Sequence, residues 1–260
     1  MGTRLDNAKA LYLEAIRDGN YEEAIEKYAG DRYTQHSTPV KDGKEGFIEF
    51  FADFVERNPD RQIEIIRGFE DGQYVFLHVV QDLNDGEYRY VTADMFDTDD
   101  QGKLIEHWDI IQEWTDDTVS GHSQVDGPTE PTDLDKTDEN KEIVRGFISD
   151  VLVNGRFDKL TDYVSSQTYI QHNPSIGDGL EGLGEFVESL DDQGASMAYE
   201  KIHKLVGSGN FVAALSKMHF VGTDMAVIDL FRVEDGLIVE HWDVMEEIPA
   251  REDLVNSGKF

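Results

Sequence analysis

At 260 residues the chain is long enough for one large domain or two of ordinary size, and 39% hydrophobic residues with 10% aromatics can build real cores. Its 23 Lys and Arg against 55 Asp and Glu leave a net charge of −32, which repels phosphate backbones and anionic lipid and so argues against nucleic acid and membranes as partners. Cysteine is absent, which excludes disulfides and thiolate metal sites.

The N-terminal stretch Met1-Gly2-Thr3-Arg4-Leu5-Asp6 lacks the apolar core of a signal peptide. Apolar runs such as Tyr74 to Leu77 are too short to span a bilayer. A cytoplasmic protein is therefore expected. The acidic residues are spread along the whole chain, where their mutual repulsion would destabilise a mesophilic fold. Molar salt screens that repulsion within a few ångströms, so the composition reads as salt-adapted, that is, halophilic.

Taken in chain order, Leu5, Ala8, Leu11, Tyr12, Ala15 and Ile16 keep helical spacing, and Gly19 ends that helix. A short helix over 21–28 follows, then Tyr33-Thr34-Gln35-His36 as a short strand or extended turn. Asp42-x-x-Glu45 resembles a capping box and opens a third helix, with Phe47, Phe50, Phe51 and Phe54 on one side as core. Strands are predicted over 62–69, 73–81, 88–96 and 103–114, with turns at Gly72 and Asp85-Gly86. Residues 116–138, with Gly127-Pro128 and Pro131, have little apolar periodicity and read as an acidic linker.

The pattern then starts again. Ile143, Val144, Phe147, Ile148 and Val151 mark a helix, and Tyr169-Ile170-Gln171-His172 repeats the earlier segment. Asp178-x-x-Glu181 opens a helix striped by Leu183, Phe186, Val187 and Leu190, and strands follow over 197–206, 210–221, 225–233 and 237–246. Glu106-His107-Trp108-Asp109 recurs as Glu240-His241-Trp242-Asp243, and Asp94-Met95-Phe96 as Asp229-Leu230-Phe231. The order is the same in both halves, so residues 1–115 and 139–250 are two copies of one domain, with 251–260 a tail. Helices followed by consecutive strands give an α+β class with an antiparallel sheet in each copy.

On an extended strand alternate residues share a face. His107 and Asp109 therefore point the same way as Ile105 and Ile111, and His241 and Asp243 the same way as Val239 and Met245. That face is largely apolar, and an Asp there is costly unless hydrogen-bonded. His36, Asp94, His107 and Asp109, with His172, Asp229, His241 and Asp243, form a duplicated candidate catalytic set. The other histidines (His78, His122, His203, His219) do not recur. A buried His–Asp network that only fixes strand register explains the same residues equally well. No compact metal motif is present, and neither a metal nor a cofactor is expected.

The string from Asp229 to Asp243, with Tyr169 to Pro174 upstream, resembles the SnoaL-like family of the nuclear transport factor 2-like superfamily. Copy one matches through Gln35-His36, Asp42 to Phe47 and Glu106 to Asp109. The resemblance implies a cone-shaped α+β domain with helices closing over a curved sheet around a pocket. It implies relatives that are polyketide cyclases, ketosteroid isomerases or epoxide hydrolases, and an Asp base with His nearby. Asp109 and Asp243 fit the base, with His107, His241, His36 and His172 around them and Asp94 and Asp229 on the neighbouring strand. The implied function is cyclase, isomerase or aldol-type chemistry on a small apolar or carbonyl-containing molecule. The alternative is a non-catalytic binding or assembly module. The resemblance also implies an intrachain pseudo-dimer packed sheet against sheet; the outer strand faces, to which alternation turns Trp108 and Trp242, are its expected contact surface, and a monomeric chain is compatible with it.

Overall fold

The computed structural model describes residues 3–260. Met1 and Gly2, part of the stretch read as lacking a leader, lie outside them. The described residues form two compact units: one comprises the residues up to Glu113 together with Pro249–Phe260, the other Trp114–Ile248.

In the first unit α1 (Arg4–Tyr12) runs on into a π-helical turn, Leu13–Arg17, followed by α2 (Tyr21–Tyr28), β1 (Ala29–Gln35) and α3 (Gly43–Arg57). Four strands come next: β2 (Arg61–Asp71), β3 (Tyr74–Leu83), β4 (Tyr88–Thr98) and β5 (Leu104–Glu113). The sheet order is β1-β5-β4-β3-β2. The second unit repeats this with α4 (Thr137–Phe147), a π-helical turn at Ile148–Val153, α5 (Leu160–Tyr163), β6 (Ile170–Gln171) and α6 (Gly179–Asp192). Its strands β7 (Met197–Ser208), β8 (Phe211–Phe220), β9 (Thr223–Glu234) and β10 (Leu237–Glu247) give the order β6-β10-β9-β8-β7.

The expected antiparallel meander holds for four strands of each sheet. The fifth departs from it: β1 and β6, the Tyr-x-Gln-His segments, lie parallel to β5 and β10. A helix separates each from the meander, so the chain returns to the sheet edge in the parallel sense. This placement sets Gln35 beside His107 and Gln171 beside His241.

The apolar spacing of the first helices carries each core. Ala8, Leu11, Tyr12 and Ala15 are buried in one cluster with Val75, Leu77 and Val79 of β3. Val144, Phe147, Ile148 and Val151 do the same with Val212 and Ala214 of β8. No described helix is long and apolar enough to cross a membrane.

The capping boxes expected at Asp42 and Asp178 do not form: neither side chain bonds its own helix. Asp42 Oδ1 instead accepts from Gln35 N at 2.8 Å, and Asp178 Oδ1 from Gln171 N at 2.8 Å. The edge strand's amide, otherwise unpaired, competes successfully for the carboxylate. One turn into each helix a glycine is required by close approach. A Cβ on Gly46 would lie 2.3 Å from Lys41 O, and one on Gly182 2.2 Å from Gly177 O. Gly182→Ala is expected to cost about 1–3 kcal/mol, read as a lower midpoint in urea with an unchanged slope.

The segments that follow β5 and β10 are ordered too. Within the second unit Val119 N donates to Pro174 O and Trp242 Nε1 to Asp126 O. Within the first, Asn256 Nδ2 donates to Ser37 O at 2.6 Å and Val40 O at 2.8 Å.

Candidate functional site

Strand pairing brings the recurring acids together. Asp94 on β4 sits directly across from Asp109 on β5, and Asp229 on β9 across from Asp243 on β10. All four are buried. His107 and His241 lie on the same face and stack on Phe96 and Phe231, with ring centroids 4.4 and 4.8 Å apart.

In each unit the histidine bridges two elements. His107 Nε2 lies 3.0 Å from Asp94 Oδ1, and His241 Nε2 lies 3.0 Å from Asp229 Oδ1. The other ring nitrogen meets the glutamine of the edge strand, His107 Nδ1 with Gln35 Oε1 and His241 Nδ1 with Gln171 Oε1, both at 3.0 Å. Neither glutamine belongs to the candidate set read from residue types. Strand alternation is the signal that finds them, because in Tyr-x-Gln-His the inward residues are Tyr and Gln.

The same alternation removes two expected members. His36 and His172 point to the opposite face, where they stack on Trp108 and Trp242 at 4.8 and 4.6 Å. Their Nε2 atoms meet Glu106 and Glu240 at 2.9 Å, and their Nδ1 atoms meet Gly258 O and Ser123 O. The approach expected of His36 and His172 toward the carboxylates does not occur, since each follows an inward glutamine by one residue.

The two units satisfy their inner Asp differently. In the first, Gln81 Nε2 donates to the Tyr12 hydroxyl at 2.7 Å, which stands 2.9 Å from Thr92 Oγ1, and Thr92 Oγ1 donates to Asp94 Oδ2 at 2.8 Å. In the second, the Tyr199 hydroxyl donates to Asp229 directly, at 3.0 and 3.2 Å to the two oxygens.

The outer Asp differs more. Asn173 Oδ1 accepts from Ser175 N at 2.8 Å, which turns its Nδ2 toward Asp243 Oδ2 at 2.7 Å. Asp243 Oδ1, like Asp109 Oδ1, is buried with no hydrogen-bond partner. In the first unit Ser37 replaces the asparagine, and Lys259 approaches instead. Its Nζ donates to Asp109 O at 2.9 Å and lies 3.5 Å from Asp109 Oδ1.

The cavities follow suit. The second unit holds one of about 430 Å³, lined by Leu183, Phe186, Val187, Met218, Phe220 and Met245 with Asp229, His241 and Asp243 at its polar end. The first unit retains about 90 Å³ beside Asp94, His107 and Asp109. The third helix contributes to the difference: Phe47 and Phe51, which line the first cavity, stand where the second copy has Leu183 and Val187. In the first copy Phe47 and Phe51 are buried in the core; in the second Leu190 is buried, while Leu183, Phe186 and Val187 wall the cavity. Phe157, half exposed, also lines that wall.

Burial pushes the Asp94 carboxyl above the usual range, although its bond to His107 pulls the other way. Burial likewise pushes Asp243 up, opposed by His241 and Asn173 and helped by the Asp229 charge. Burial alone would depress His241, but the hydrogen bond to Asp229 and the charges of Asp243 and Asp229 outweigh it and raise the imidazole above its ordinary 6.5. Folding linked to His241 is thus favoured fully below pH 6.5, and that contribution is lost as pH rises through the higher folded value. His241→Gln is expected to flatten the loss of stability above pH 6.5 in a series of urea titrations.

In each unit one side-chain nitrogen or oxygen from each of the two Asp and the His lies within 4.8 Å of the other two.

Among solved structures, the chain is similar to a SnoaL-like polyketide cyclase from Agrobacterium tumefaciens, with 17% identity, 43% of this chain and 93% of that one covered, and a TM-score of 0.37. It is similar to an LEH-like epoxide hydrolase from M. tuberculosis, with 22% identity, 43% and 85% covered, and a TM-score of 0.35. It is also similar to TsrD from Streptomyces laurentii, with 21% identity, 42% and 89% covered, and a TM-score of 0.33. No curated protein sequence matches the chain. The SnoaL-like domain family matches residues 10–107 and again residues 144–241. Each match begins within the first helix of its copy and ends at the histidine of the last strand, His107 or His241, and the chain belongs to the SnoaL-like domain family, whose domain it carries twice.

Proposed function

We propose that the second domain is an acid–base enzyme site for a small, largely apolar carbonyl compound, with Asp243 as the base. The observation that carries this reading is Asp243 Oδ1, a buried carboxylate oxygen without a partner at the polar end of a cavity of about 430 Å³. An unpaired buried oxygen is costly unless a ligand group meets it. Burial raises its proton affinity, which suits it to take a proton from carbon. Asp243 would accept the proton next to the carbonyl, and the C–H electron pair would pass to the carbonyl oxygen as an enolate. The proton, held on Asp243, would then return to the same or a neighbouring carbon. His241, beside the carboxylates, stabilises the negative charge that develops. Cyclase, isomerase and aldol-type reactions all begin this way.

For the first domain the non-catalytic reading is favoured by its 90 Å³ cavity and by Lys259 beside Asp109. Its His–Asp pair ties β4 to β5 as a structural network.

Wild-type protein is expected to exchange the α-protons of 2-tetralone in D2O faster than buffer, followed by NMR; exchange at the buffer rate rejects the catalytic reading. The neutral fluorophore Prodan, an apolar ketone, should bind with one site per chain. Leu183→Phe with Val187→Phe, which installs the first domain's rings in the second, should weaken it about ten-fold or more. Two equal sites, or undiminished binding by the double variant, would contradict the assignment to the second cavity.

A further inference from the structure

Gln171 Oε1 is the common acceptor for three donors: His172 N at 3.0 Å, Asn173 N at 3.0 Å and His241 Nδ1 at 3.0 Å. A backbone amide can only donate, so the atom that receives two of them is the carbonyl oxygen of the side chain and not its nitrogen. The ring nitrogen facing that oxygen must then carry a proton. The first domain repeats the arrangement: Gln35 Oε1 receives His36 N at 3.2 Å, Ser37 N at 3.3 Å and His107 Nδ1 at 3.0 Å.

The other ring nitrogen, His241 Nε2, lies 3.0 Å from Asp229 Oδ1. Two bare lone pairs would repel at that distance, so one proton lies between them. Asp229 also accepts from the Tyr199 hydroxyl. A carboxylate that accepts from two donors is stabilised as the anion, which leaves the proton on the imidazole.

We propose that Gln171 is a positioning residue that holds the His241 ring doubly protonated, so that the second domain's cavity carries a fixed cation beside Asp243. Both ring N–H groups are then committed, one to Gln171 and one to Asp229. His241 is neither the proton acceptor nor a direct donor to a substrate oxygen, and it acts through its charge. Asp243 is left as the group that changes protonation during the reaction. The groups facing the ring are Asp229 from β9, Asp243 from β10, Gln171 from β6 and Tyr199 from β7. The two acids favour the cation, and the neutral amide fixes which nitrogen each proton occupies. The assignment deepens the acid–base reading of this cavity and rests on that reading only for its catalytic consequence.

The test is 15N–1H correlation NMR of the full chain labelled at histidine, titrated without ligand, with the His241 resonances assigned by His241→Gln. Wild type should show both His241 ring nitrogens protonated past pH 6.5. Gln171→Met keeps the bulk and removes the acceptor; it should lower the His241 midpoint by about one pH unit, a ten-fold change in proton affinity. Gln171→Glu keeps an acceptor and adds charge, and should return the midpoint to the wild-type value or above. A His241 ring that is neutral at pH 6.5 in wild type overturns the assignment. So does a folded Gln171→Met protein with an unchanged midpoint. Should Gln171→Met fail to fold, Gln171→Glu decides alone: a midpoint below wild type overturns the proposal. Loss of the 2-tetralone reaction with this titration intact would reject the enzyme reading and leave the charge assignment standing, so the two failures are distinguishable.

Discussion

Asp243→Asn is expected to slow deuterium exchange into 2-tetralone by about 10²–10⁴-fold, while Asp109→Asn leaves the rate within about two-fold. The substitution keeps the shape of the side chain and a carbonyl oxygen for Asn173 Nδ2, so it removes the base and little else. The stability of the variant separates this account from a structural one. Because the folded Asp243 carboxyl sits above its ordinary 3.8, the native state favours the protonated form. That contribution is complete below pH 3.8 and is lost as pH rises through the folded value. At neutral pH the buried charge therefore costs stability, and Asn should leave the melting temperature unchanged or raise it. A residue that only tied strands together would give the opposite pair of results: a lower melting temperature and no exchange to lose. An Asp243→Asn protein that exchanges at the wild-type rate would show the base to be elsewhere.

A second large effect is expected from salt. With a net charge of −32 and 23 basic residues to offset 55 acids, like-charge repulsion favours the unfolded chain in dilute buffer. Molar potassium chloride shortens the screening length to about 3 Å. If screening recovers about 3 kcal/mol, the melting temperature should rise by about 6–12 °C between dilute and molar salt. Part of the rise must be electrostatic rather than solvent exclusion, so sodium sulfate and potassium chloride compared at equal ionic strength should agree in the dilute range. A melting temperature that stays flat across the series would remove the salt-adapted reading of the composition.

Several features are legible in the amino-acid order because they are local or repeated. Tyr21–Tyr28 forms the short helix expected there, and the last four strands of each domain fall within a few residues of their expected limits. Strand alternation places His107 with Asp109 and His241 with Asp243 correctly, because a two-residue period needs no tertiary information. The same rule, applied to Tyr-x-Gln-His, turns His36 and His172 outward and Gln35 and Gln171 inward. That segment is too short to declare itself a strand, and its parallel pairing with β5 and β10 is a long-range fact.

That one domain occurs twice, that each copy is α+β, and that each carries the same inward His and Asp all follow from the order of the residues. Periodicity and repetition encode these directly. The difference in what those residues can do arises only in the folded chain. Whether Phe47 and Phe51 fill a cavity, or Leu183 and Val187 leave it open, depends on the volume between a helix and a sheet far apart in sequence. Whether a buried Asp meets Lys259 or Asn173 depends on where a distant segment or a neighbouring loop comes to rest. Such encounters have no period, and they set the charge and the space that the chemistry requires.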